Sequence, residues 1–135
     1  MNKQKDRYTP FKGSYRMPVD EFCNKYGLSL RVVMHRMNVL YWEDFDSLVI
    51  PENLGDTSAD RISRTLNLHE KGWKNSEIAK RVKVSERVVE NILNMDDYKN
   101  SIFKTCMKNY FFLDPKKIDI SKIFKEVDIN ERVKN

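Results

Sequence analysis

The apolar positions of this chain recur at helical spacing and nowhere alternate over a length that predicts a strand. From Pro18 to Met37 they keep a helical rhythm, and a Trp-containing stretch follows. IPENLGDTS at 50–58, with its proline, glycine and acids, predicts a linker. Ser58 or Thr57 can cap a helix running to about His69, with Ile62 and Leu66 on its apolar face and Gly72 at its end. After Met95, Asp96 and Asp97 favour another helix start, and Ile102, Phe103, Cys106, Met107, Tyr110 and Phe111 form an apolar stripe. Asp114-Pro115 stops that helix, and a weaker one is expected from about Ser121 to Val127. The expected fold class is all-α.

NSEIAKRVKVSERVVENIL, residues 75–93, reads as two helices rather than one. Ile78 and Val82 share a face with Ala79 beside them, whereas Val89, Ile92 and Leu93 share another. A single helix would put Val84 and Val88 on a further face and smear the stripe, while Ser85 is a good N-cap for a second helix. Two helices crossing at a tight turn bury all of these positions, and the small Ala79 lets them approach. DEFCNKYGLSLRVVMHRM, residues 20–37, repeats the arrangement with small Cys23, Gly27 at the turn, Leu28, Ser29 as cap and Val33 facing inward.

Both stretches resemble the helix-turn-helix superfamily of DNA-binding domains, in the style of phages and mobile elements. VLYWEDFDSLVIP resembles the short Trp-led helix and proline that close many such modules. With the helix 58–69 and the Gly72-Trp73 turn, the second stretch resembles a complete three-helix unit. One departure stands out: Lys83 occupies the turn position where the family usually has glycine, and a lysine adopts the left-handed conformation only at a cost of about 1 kcal/mol. The resemblance implies two tandem modules, 17–50 and 58–95, with a basic flexible arm at 1–16, an acidic linker at 51–57 and a helical C-terminal extension at 96–135. KIFKEVDINERV, 122–133, echoes the pattern once more, but Phe124 replaces the small residue, so it reads as a packing helix.

Charge sharpens this picture. Residues 1–16 carry five Lys or Arg against one Asp, 43–60 carry six acids and no base, and 61–95 carry eight bases against four acids. Two basic blocks around an acidic connector suit two polyanion-facing modules; ordinary surface charge is the alternative. An extended tether of about fifteen residues would span the roughly 34 Å between successive major grooves. At 135 residues the chain is sized for one domain or two small ones. It has no apolar run long enough to cross a bilayer and no apolar h-region at its start, so a cytoplasmic protein is expected.

Cys23, Cys106, His35 and His69 show no metal-ligand spacing, so buried thiols are expected and no metal or other cofactor. There is no glycine-rich nucleotide loop, nucleophile elbow or other catalytic constellation, and the chain is read as a non-enzyme.

The resemblance directs attention to the second helix of each pair, whose outward N-terminal positions would meet base edges in a major groove. In the first module these are Leu30, Arg31, Met34, His35 and Asn38, with Arg36 directed to a phosphate or partly packed. In the second they are Glu86, Arg87, Glu90, Asn91 and Asn94. Lys74, Asn75, Lys80, Arg81, Ser29 and Ser85 would serve the backbone, and Lys3, Lys5, Arg7 and Lys12 would follow a minor groove or belong to a disordered tail. The implied function is sequence-preferring duplex DNA binding by a transcriptional regulator, or by a recombination or packaging accessory factor. The rival is a phage-encoded inhibitor or adaptor that turns the same scaffold on a host protein, favoured by Glu86, Glu90, the acidic 43–60 segment and the aromatic C-terminal region. The aromatic helix at 99–113 suits either core packing or a homodimer interface.

Overall fold

The structure is a computed structural model that describes residues 7–94, 104–110, 114, 117 and 119–124. It is all-α: α1 (Val19–Tyr26), α2 (Leu30–Asn38), α3 (Asp44–Val49), α4 (Ala59–Glu70), α5 (Asn75–Val82) and α6 (Glu86–Leu93) follow one another, and residues 104–108 are also helical. Among the described residues there is no strand, only an isolated antiparallel bridge between Tyr8 and Pro18. The chain divides into two compact units, one of residues 1–48 with 114–135 and one of residues 49–113.

In the first unit, Pro18 stands at the N-cap of α1, and Asp20 and Glu21 in the first turn complement the positive end of the helix. The helix stops at Gly27, whose left-handed backbone (φ 71°, ψ 30°) carries no Cβ penalty. Ser29 then caps α2 by accepting from the Val32 N–H at 3.3 Å. Val19, Phe22, Cys23 and Tyr26 of α1, Val33 and Met37 of α2, and Phe45 and Leu48 of α3 are buried.

Residues 7–16 correct the expectation of a flexible arm. Val19 N–H donates to Arg7 O and Thr9 N–H to Met17 O, each at 2.9 Å, which ties the segment to the start of α1. Phe11, 3% exposed, packs against the rings of Phe22, Phe45 and Phe124 at centroid separations of 5.4, 6.1 and 6.2 Å. Burial of the phenylalanine and the backbone bonds together hold a segment that lacks helical periodicity. The far C-terminal segment supplies the other side of this cluster: Phe124 meets Phe22 edge-on at 5.1 Å, and Ile120 and Ile123 are buried beside it. Packing by Phe124 follows the sequence reading, but the local form is a 3-10 turn, Ile120–Lys122, started by the Asp119 side chain. The remainder of the helix expected to Val127 lies outside the described residues.

In the second unit, the stretch expected as an acidic linker, 51–57, is locally folded. It carries a 3-10 turn, Glu52–Leu54, that packs on α6, with Leu54 3% exposed and Thr57 also buried. Burying the leucine contributes about 2 kcal/mol to docking the segment. Ser58 caps α4 by accepting from Arg61 N–H at 3.4 Å, and the chain turns back at Gly72 (φ 91°). Glu77 Oε1 accepts from Lys74 N–H at 3.0 Å at the start of α5. Lys83 ends α5 in the left-handed region, and Ser85 caps α6 by accepting from Val88 N–H at 3.2 Å.

Helices α4, α5 and α6 pack pairwise on one another. Ile78, Ala79, Val82 and Val89 form the shared core, with Leu68, Val84 and Leu93 at its margin. The 104–110 stretch is fastened to this trio by Asn67 Nδ2 donating to Lys108 O at 3.3 Å, Lys108 Nζ 2.7 Å from Glu70, and Lys104 Nζ donating to Leu93 O at 2.7 Å. Of the predicted apolar stripe, Met107 is fully buried and Cys106 and Tyr110 half-buried, while Ile102, Phe103 and Phe111 lie outside the described residues.

Candidate nucleic-acid interface

The two capped helices present side chains in the same register. Counting from the cap serine, the second, fifth, sixth and ninth residues are Arg31, Met34, His35 and Asn38 on α2, and Arg87, Glu90, Asn91 and Asn94 on α6. These offsets fall on one face of an α-helix. Arg31, His35, Asn38, Arg87, Glu90 and Asn94 are exposed, and Met34 and Asn91 are half-buried. Leu30 and Glu86, the first residue of each helix, are also exposed. Each helix sits with its opposite face in a core, so its polar face is directed outward by the packing of Val33 and Met37 in one case and Val89 and Ile92 in the other.

Arg36 leaves this set. It is 1% exposed, its guanidinium carbon lies 4.9 Å from the Trp42 ring centroid, and Nη1 donates to Ser47 O at 3.2 Å. Of the two placements expected for it, packing is the one observed, and a phosphate has no access to the group. Its register position corresponds to Ile92 in α6, also buried. Trp42 provides the face on which the guanidinium stacks.

Arg7 is likewise withdrawn from a roaming arm. Its Nη1 donates to Asn38 Oδ1 at 3.2 Å and its Nη2 lies 3.5 Å from Asp44 Oδ1. The contact orients the Asn38 amide, whose Nδ2 also lies 3.8 Å from Met34 Sδ. Lys12 is exposed at the head of the Gly13–Tyr15 turn, and Lys3 and Lys5 lie outside the described residues.

Lys74, Lys80 and Arg81 are exposed, and Asn75 is half-buried. The hydroxyl oxygens of Ser29 and Ser85 are engaged as acceptors in their caps, and Ser85 is exposed. Ser85 can still donate its hydroxyl proton outward. Around the α5–α6 turn, residues 80–87 contain four cations against one acid. Lys80, Arg81, Lys83 and Arg87 are all exposed, and none forms an ion pair with a described residue.

Two further residues escaped the sequence reading. Tyr41, in the loop after α2, is 84% exposed and has φ 56°, a backbone conformation no glycine announced. In the sequence Lys83 stands out only as a departure at the turn; in the structure it is the exposed residue that ends α5. A non-glycine residue where a helix ends and Ser follows two residues later was the available signal for Lys83; Tyr41 had none.

Cys23 is buried and Cys106 half-buried, both as thiols, and burial pushes the Cys106 thiol above its usual pKa. That thiol therefore stays protonated at neutral pH. Among the described residues no three His, Cys, Asp or Glu side chains are grouped to hold a metal ion, and no helix is long and apolar enough to cross a membrane. The chain matches no protein-family model, no curated protein and no solved structure.

Proposed function

We propose that this protein binds duplex DNA with sequence preference through two helix-turn-helix modules, α1–α2 and α5–α6. The observation that carries the reading is the shared register: a serine-capped helix after a left-handed turn, with an exposed arginine two residues beyond the cap and amides or imidazole further along the same face. That face has the donors a major groove requires. Arg31 and Arg87 suit guanine O6 and N7, Asn91 suits adenine N6 and N7, Leu30 suits a thymine methyl, and Glu86 can accept from cytosine N4. Met34, His35, Asn38, Glu90 and Asn94 complete the two faces. Lys74, Asn75, Ser29 and Ser85 lie at helix N-termini, whose dipoles favour anions, and Lys80 and Arg81 lie in the last turn of α5; all six would serve backbone contacts. Transcriptional regulation in a phage or mobile element is the role we assign, with recombination or packaging accessory function as the variant of it.

A second reading has its own support. Glu86 and Glu90 are exposed on the same helix as Arg87, and carboxylates repel phosphates, so α6 also suits a basic protein surface. A host-protein inhibitor or adaptor would use α6 in this way.

A mobility-shift titration with random-sequence duplex, at low and moderate salt, separates the two. Binding through several phosphates weakens by about 10³-fold between 50 and 200 mM salt. Arg31→Ala and Arg87→Ala are each expected to weaken binding about tenfold or more, since one bidentate base contact is worth about 1–3 kcal/mol. Glu90→Gln is expected to tighten binding if α6 faces DNA and to leave it unchanged if α6 faces protein. Absence of duplex binding by the wild type at low salt would defeat the DNA reading.

A further inference from the structure

We infer that Lys83, at the apex of the α5–α6 turn, is a contact to the phosphate backbone of duplex DNA, and that the chain carries backbone strain to present it. The inference rests on the DNA-binding reading of α6 and adds a residue outside the expected interface.

The turn has one geometry available to it. Lys83 N–H and Val84 N–H both donate to Ala79 O, at 2.9 and 3.1 Å, and this closure requires residue 83 to be left-handed (φ 65°, ψ 48°). Val82 is buried and Val84 half-buried in the core of the unit, so the register cannot slip to bring another residue to the apex. The corresponding turn between α1 and α2 has the same closure, with Gly27 N–H and Leu28 N–H both donating to Cys23 O, and there a glycine removes the penalty.

The folded chain returns nothing to offset the strain at Lys83. Its side chain is exposed and makes no ion pair with a described residue. It stands instead among like charges, with Lys80 and Arg81 before it and Arg87 after it, all exposed. Clustered cations raise the energy of the isolated protein and lower it again when a polyanion arrives. The partner is therefore anionic and extended. Phosphates flanking a groove occupied by α6 fit both the sign of the charge and its position at the head of a capped helix, where the helix dipole also favours an anion.

The experiment pairs thermal unfolding with fluorescence-anisotropy titration of a random-sequence DNA duplex over a series of salt concentrations, using the full chain and three variants. Lys83→Gly removes strain and charge together: Tm is expected to rise by about 4 °C while duplex affinity falls several-fold and the slope of log K against log salt becomes shallower by about 0.9. Lys83→Gln keeps the strain and loses the charge, so Tm rises less than in Lys83→Gly, by relief of like-charge repulsion alone, and the slope falls equally. Lys83→Arg keeps both and binds as the wild type does. If the wild type binds duplex and Lys83→Gly and Lys83→Gln bind with unchanged affinity and slope, the Lys83 contact is overturned while the DNA reading stands. If the wild type binds no duplex at the lowest salt, both fall. A Lys83→Gly protein less stable than wild type would overturn the strain premise.

Discussion

Gly27 and Lys83 hold the same left-handed turn at corresponding points of two helix pairs, and only glycine suits it without cost. Behind the turns, the second helices bury opposite chemistries at one register position: Ile92 in α6, Arg36 in α2. The first pair thus has a relaxed turn and a buried guanidinium, the second a strained turn and a buried isoleucine at the same register position. Local backbone fit and core composition are therefore independent variables in this scaffold, since each pair retains the cap, the turn and the outward face whatever the other choice. What the pairs share is the spacing of exposed donors, and what distinguishes them is how each is buttressed.

The largest effect is expected from forcing one core onto the other. Ile92→Arg puts a cation at a fully buried position, at a cost of about 4 kcal/mol or more, and the 49–113 unit should lose its cooperative transition in urea. Arg36→Ala, which deletes the stacking on Trp42 and the bond to Ser47 O, is expected to cost about 3 kcal/mol in the same measurement. Equal tolerance of both changes would mean that the two interiors are interchangeable.

Phe11→Ala tests whether the first unit depends on the segment before α1. Truncating a buried phenylalanine costs about 3–5 kcal/mol, whereas the same change in a free arm would leave the urea midpoint within about 0.5 kcal/mol of wild type. Gly27→Lys then carries the strain of the second turn into the first. It is expected to lower stability by about 1 kcal/mol with the helical circular dichroism unchanged. The smallest effects belong to the features the pairs share: Ser29→Ala and Ser85→Ala should each cost about 1 kcal/mol, and a clear inequality would show that one cap is redundant.

The outward faces were legible before any coordinates. Arg31, His35, Asn38, Arg87, Glu90 and Asn94 are exposed because the apolar period assigns them to the side away from Val33, Met37, Val89 and Ile92. Arg36 was not assignable by the same rule. It lies on the margin of the apolar stripe, and its direction depends on Trp42 and on Ser47 in another helix. The segments 7–16 and 51–57 read as arm and linker because neither has a helical period. Each buries one large apolar residue, Phe11 or Leu54, and a single position carries no periodicity.

What the sequence by itself determined are the helices, their breaks and their caps. Each of those signals acts within about four residues of the hydrogen bond it controls: Ser58, Ser29 and Ser85 on N–H groups three residues ahead, and Gly27 on the carbonyl of Cys23. What only the tertiary structure decided is membership of the cores. Phe11 meets Phe124, Leu54 meets α6, and Arg36 finds Trp42 and Ser47. These partners are distant in sequence or on different elements, and burial depends on who is adjacent in space, a quantity that local periodicity does not contain.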